Sequence, residues 1–284
     1  MRTILALVDG SLYAGSVCDL AAWAAARTAS TVTLLHVLGR RETATTPIDL
    51  SGSLRADARE ALLAELAAND ESRARLAQKR GRLLLDDARA RIEKAAAATG
   101  VEAKLRHGDL LDAVAELEPE AALVVVGKRG EAADFAKGHL GSNLERIVRA
   151  STRPVLVAAR AFRPIAKVVL AYDASPSAER ALDLASHDPM TNGLAVEVIT
   201  VGDGEAARTR VEAAAERLRA AGRAATGRVV AGEPEEAIGA AVEASEADLL
   251  VMGAFGHGRL RALVVGSTTT AMVRRCRIPV LMVR

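Results

Sequence analysis

Val168-Val169-Leu170-Ala171-Tyr172-Asp173 is the stretch on which the fold turns, because Ile4-Leu5-Ala6-Leu7-Val8-Asp9 carries the same pattern 164 residues earlier. At that same offset of 164, Leu34-Leu35-His36-Val37 matches Val198-Ile199-Thr200-Val201. Further along the register shifts. Gly127 and Gly130 match Gly253 and Gly256 at an offset of 126, and Pro154-Val155-Leu156-Val157 matches Pro279-Val280-Leu281-Met282 at 125. The chain is therefore two copies of one unit, and the shorter offset places an insertion of about forty residues between the second and third strands of the first copy.

Within each copy, short β-branched and leucine-rich runs alternate with alanine-rich amphipathic segments. That alternation is the βαβα pattern of a parallel sheet covered on both faces. In the second copy it predicts strands at 167–172, 195–201, 225–231, 248–253 and 279–283, with covering helices at 177–186 and 205–221. Pro234, after Gly232-Glu233, suits the first turn of the helix that follows strand three. The expectation is an α/β protein of two tandem doubly wound, Rossmann-like domains, residues 1–159 and 165–284, each a five-stranded parallel sheet. The linker Arg160-Ala161-Phe162-Arg163-Pro164 is too short for independent tumbling, so the domains are expected to pack together. The insertion, residues 39–80, begins with a polar loop from Thr43 to Ser53 and passes into helical periodicity at Leu54, Ala58, Leu62 and Leu66. It is read as one extra helix plus an extended one reaching Thr99, serving as an elaborated connection or as a lid or partner surface.

Composition narrows the function. Half of the 284 residues are apolar, enough for two ordinary cores. Lys plus Arg number 38 against 36 Asp plus Glu, scattered without blocks, so neither nucleic acid nor an anionic membrane is an expected partner. Aromatic residues make up 2%, which leaves few stacking platforms for bases. Cys18 and Cys276 lie far apart in alanine-rich stretches and are read as buried and reduced. Met1-Arg2 leads directly into a strand and no apolar run is long enough to span a bilayer, so a cytoplasmic protein is expected.

The segment Met252-Gly253-Ala254-Phe255-Gly256-His257-Gly258 stands at a strand end and is followed, with nine residues between Gly256 and Gly266, by Gly266-Ser267-Thr268. Glycines there allow a tight turn and let backbone amides approach an anion without a Cβ between them. Thr268 to Arg275 reads as a helix whose free amides and dipole suit a phosphate. A Walker loop would need a Lys before Ser267, and a dinucleotide fingerprint would need a glycine at Arg261; neither is present. His257, Arg259 and Arg261 bring positive charge to the same loop. From the residues alone the base stays open, since a carboxylate serves guanine as readily as adenine.

Gly-x-x-Gly, nine residues, Gly-Ser resembles the nucleotide loop of universal stress proteins. Asp173, Val201, the Gly232-Glu233-Pro234 corner and the closing strand Ile278-Pro279-Val280-Leu281-Met282-Val283 follow in that family's order. The resemblance covers essentially the whole chain outside the insertion and implies strand order 3-2-1-4-5. It implies ATP, with or without Mg2+, held by Asp173 and the Val201 backbone on the adenine and ribose side. Gly253, Gly256, Gly258, Gly266, Ser267 and Thr268, with His257, would line ribose and phosphates. It also implies that the closing strands, Val155 to Ala159 and Val280 to Val283, meet antiparallel in an intramolecular pseudo-dimer, with a homodimer as a further assembly.

The first copy keeps Asp9, Val37, Gly127, Gly130, Gly141 and Ser142, but ten residues separate Gly130 from Gly141. It is read as a degenerate partner domain, with Lys128, Arg129 and Lys137 offering an alternative anion site. His36 is read as a strand-end packing residue and Trp23 as core. No nucleophile stands beside an oriented base, so the expected role is a nucleotide-binding stress-response regulator with a protein partner of unknown identity, without catalytic or metal-ligating residues. A slow ATPase or phosphotransferase using Asp173 or Ser267, and a nucleotide-free dimeric scaffold, are the competing readings.

Overall fold

A computed structural model of the chain describes residues 2–39, 56–131, 142–254 and 267–284. The first half runs β1 (Thr3–Leu7), α1 (Ala14–Thr28), β2 (Thr31–Leu38), α2 (Ala56–Ala95), β3 (Val101–His107), α3 (Leu110–Leu117), β4 (Ala121–Gly127), α4 (Ser142–Ala150) and β5 (Val155–Ala158). The second runs β6 (Lys167–Ala171), α5 (Pro176–His187), β7 (Ala195–Val201), α6 (Gly204–Ala220), β8 (Ala224–Val230), α7 (Pro234–Ala244), β9 (Leu249–Gly253), α8 (Ser267–Arg275) and β10 (Val280–Val283). The second-half strands fall within a residue or so of the expected limits.

These strands form one sheet in the order β3-β2-β1-β4-β5-β10-β9-β6-β7-β8. Each half is parallel throughout and has the order 3-2-1-4-5. The halves join where β5 and β10 run antiparallel, pairing Val157 with Val280, Leu156 with Leu281 and Val155 with Met282. Successive side chains of a strand face opposite sides, so Ile4, Ala6 and Val8 enter one core while Leu5 and Leu7 enter the other. Helices α1, α2, α5 and α6 cover the first face; α3, α4, α7 and α8 cover the second.

The insertion departs from expectation. It does not form a helix separate from the following one: Ala56–Ala95 is a single helix of 40 residues, about 60 Å long at 1.5 Å per residue. Gly81, Leu85, Ala88 and Ile92 are buried at spacings of four, three and four, which seats that part on the sheet. The polar loop from Thr43 to Ser53 and Leu54 lie outside the described residues. Both cysteines are free and buried, and burial pushes the Cys18 thiol up to about 12, which keeps it protonated. Among the described residues, no helix is long and apolar enough to cross a membrane.

Candidate functional site

The chain leaves β6 toward β7 on one side and returns to β9 on the other, so the order reverses at β6. In an open α/β sheet the crevice outside the carboxyl ends of strands at such a reversal is where ligands bind. Asp173 lies two residues past β6 and Val201 ends β7. Gly253 ends β9, which pairs Met252 with Ala171. Three of the expected residues therefore share one edge. Asp173 Oδ1 accepts from the Ser175 amide at 2.9 Å, which turns the chain, and the intervening Ala174 sits at φ 61, in the left-handed region unfavourable to a residue with a Cβ. Helix α5 then starts with Ser175 as its cap, its Oγ accepting from the Ala178 amide, and with Pro176 in the first turn.

Gly253 has a packing reason beyond ligand approach. A Cβ there would lie 2.4 Å from Ser177 Oγ and 2.9 Å from the Ala178 nitrogen, so the first turn of α5 needs a glycine beside it. Helix α8 begins at Ser267, one residue before the expected Thr268. Its first turn is tied back to the end of β9 by Thr269, whose buried hydroxyl donates to the Ala254 carbonyl at 3.2 Å. Sequence reading passed over Thr269 and Ser175. Ser175 was legible as a Ser-Pro helix start, whereas nothing local marks Thr269, whose partner is 15 residues away. The buried Tyr172 ring is fixed by its hydroxyl's bond to Glu179, and burial followed by that bond pushes its pKa up to about 12. Gly256, His257, Gly258, Arg259, Arg261 and Gly266 lie outside the described residues.

In the first half, Asp9, Val37, Gly127 and Gly130 occupy the equivalent edge. A Cβ on Gly127 would lie 2.8 Å from Tyr13 Cβ, and one on Gly130 would lie 3.0 Å from Asp9 Oδ2. Asp9 is engaged by the chain itself: Oδ1 accepts from Ser11 N and Oδ2 from Glu131 N, both at 3.1 Å. Ser142 begins α4, while Lys137 and Gly141 lie outside the described residues. Lys128 crosses to the other half and donates to the Cys276 carbonyl at 2.9 Å.

A cleft of about 1000 Å³ opens elsewhere, between α6 and β8, with Asp203, Glu205, Glu212 and Glu216 in its lining. Its carboxylates disfavour a polyphosphate. Among the described residues no His, Cys, Asp and Glu cluster has the makings of a metal centre.

Two parallel α/β halves joined edge to edge, each reversing its strand order beside its first strand, define a tandem doubly wound α/β protein. The model of the universal stress protein family matches residues 1–159 and 202–284. A universal stress protein of Synechocystis is 35% identical over 288 residues, covering 100% of both chains. The chain belongs to the universal stress protein family. A universal stress protein of Thermus aquaticus is 34% identical over 134 residues, 41% of this chain and 97% of that one. In fold, the chain is similar to a universal stress protein of Archaeoglobus fulgidus solved by crystallography, with a TM-score of 0.71 at 20% identity, over 100% of this chain and 96% of that one.

Proposed function

We propose that this chain is a cytoplasmic stress-response regulator that binds ATP, with or without Mg2+, in its second half, and that its halves are domains spanning 1–159 and 165–284. The observation that carries the reading is the convergence of Asp173, Val201, Gly253 and the start of α8 on one sheet edge. In this reading the Asp173 carboxylate and Val201 backbone take the adenine and ribose side. The amides of Gly256, His257 and Gly258 and those of Gly266, Ser267 and Thr268 take the phosphates, aided by the dipole of α8. The reading is of binding without turnover. Output passes to a protein partner, and a homodimer is compatible with it.

Mass spectrometry of the small molecule that copurifies tests the ligand, and titration of Gly266→Val tests the site. A branched side chain against the phosphates that also tilts two charge-assisted amides, at about 1.5–3 kcal/mol each, weakens binding roughly a hundredfold or more. Gly141→Val leaves total binding unchanged. ATP bound as tightly by well-folded Gly266→Val as by wild type overturns the assignment, and phosphate release lost in Asp173→Asn replaces it with an ATPase.

A further inference from the structure

Among the described residues, the two halves differ where α2 passes the carboxyl edge of the first half of the sheet. Burial at 81, 85, 88 and 92 in α2 repeats the spacing of burial at 207, 211, 214 and 218 in α6. Gly81 is thus the counterpart of Ala207, and Arg80 the counterpart of Ala206. Helix α6 starts at Gly204, two residues before that point, whereas α2 arrives there from Ala56. Gly81 lets α2 sit close, since a Cβ there would lie 2.9 Å from Leu105 Cδ1 and 3.0 Å from His36 Cδ2. The neighbouring Arg80 guanidinium pairs with the Glu131 carboxylate. Both stand over the β1–α1 turn: a Cβ on Gly10 would be 2.7 Å from Arg80 Nη2 and 2.8 Å from Glu131 Oε2. Glu131 N in turn donates to Asp9 Oδ2.

We propose that the first half is closed by its own chain: Arg80 of α2 and Glu131 of the glycine loop fill the space over Gly10 and Asp9, the counterpart of the place where the ATP reading seats a nucleotide in the second half. The inference rests on the ATP reading for what would otherwise enter. Its physical content is local. An ion pair stands over Gly10 and both Asp9 oxygens accept from amides of the chain, so a nucleotide entering there must first displace Arg80 and Glu131. The long helix is then the element that makes a symmetric fold bind asymmetrically. The second half has only a methyl group, Ala206, at the position of Arg80.

The test is calorimetric titration of the full chain with ATP, each variant first matched to wild type by thermal melt. Wild type binds one equivalent, and Arg80→Ala/Glu131→Ala binds a second, weaker one. The same pair placed on an Asp173→Ala chain retains one equivalent, assigning it to the first half. A folded double variant that keeps the wild-type stoichiometry overturns the closure. Should that variant fail to fold, the reciprocal transplant decides: Ala206→Arg/His257→Glu weakens second-half binding at least tenfold, and unchanged affinity overturns the proposal. Wild type binding no ATP would sink the second-half reading instead, and a gain from none to one in the double variant would still uphold closure of the first.

Discussion

His36 and Thr200 stand at equivalent positions in the two halves and do the same work with different chemistry. His36 Nδ1 donates to the Val8 carbonyl at 2.8 Å, and Thr200 Oγ1 donates to the Tyr172 carbonyl at 2.9 Å. Each ties the second strand to the residue that precedes the aspartate. Sequence reading put His36 at a strand end as a packing residue, and it is buried there; its bond was illegible because the partner is 28 residues away. Gly253 illustrates the same limit. Its place in a glycine loop was legible, but its contact with Ser177 and Ala178 depends on tertiary packing. Gly253→Ala forces a Cβ into that contact and lowers stability by about 1–3 kcal/mol, read from denaturant melts without nucleotide; an unchanged melt would show that α5 shifts freely. Lys128 provides a pH test. Burial pushes its amine down to about 8 from an ordinary 10.5, with the buried Cys276 thiol as a smaller opposing influence. Between those values the unfolded chain binds more protons than the folded one, so stability conferred by this group rises with pH. Wild type measured against Lys128→Met therefore gains between pH 8 and 10.5, and a difference that is flat or falling over that window refutes the depressed pKa.

At the scale of elements, the alternating periodicities identified every strand of the second half because buried parallel strands read as short apolar runs bounded by turns. The same reasoning split α2 in two. Asn69, Asp70, Ser72 and Gly81 are weak helix formers, yet all four lie inside the continuous helix. What overrides them is a helix already nucleated on the sheet through Leu85, Ala88 and Ile92, to which each further residue adds a backbone bond. The two parts of α2 are energetically unequal. None of the side chains described between 60 and 80 is buried, while Ile92 is 0% exposed. Leu76, 64% exposed, has little to lose. Ile92→Ala costs about 2–5 kcal/mol and Leu76→Ala about 0.5 kcal/mol or less, measured by urea unfolding of the full chain. Comparable losses at both positions would mean that the projecting half of α2 is packed against something in solution.

At the scale of the whole molecule, the join between halves is built as a core rather than as a surface contact. Leu156 and Leu281 face each other across the antiparallel pair, both 0% exposed. The pseudo-symmetry extends to the helix ends beside them. Ser151 and Cys276 are equivalent at the repeat offset of 125, and each carbonyl is reached from the opposite half. Arg284 donates to the Ser151 carbonyl at 3.3 Å and to Arg149 at 3.1 Å, as Lys128 donates to Cys276. Cations at helix C-termini oppose the negative end of the dipole, so each half caps a helix of the other. Away from the seam, Arg2 pairs with Asp188 at 2.9 Å and Arg27 Nε donates to the Met190 carbonyl at 2.6 Å, joining the first half to the turn after α5. Domains in contact only through polar patches move and melt independently. Here both apolar clusters run through both halves, so neither half presents a finished core when the other is lost. Calorimetry should therefore give one transition, with an enthalpy of about 200 kcal/mol for 284 residues near 60 °C and a van't Hoff value equal to it. Leu281→Ala, which opens the seam, should lower that transition as a unit. Two resolved transitions in wild type, each carrying about half the heat, would show instead that the halves fold as separate domains and that the seam contributes little to either.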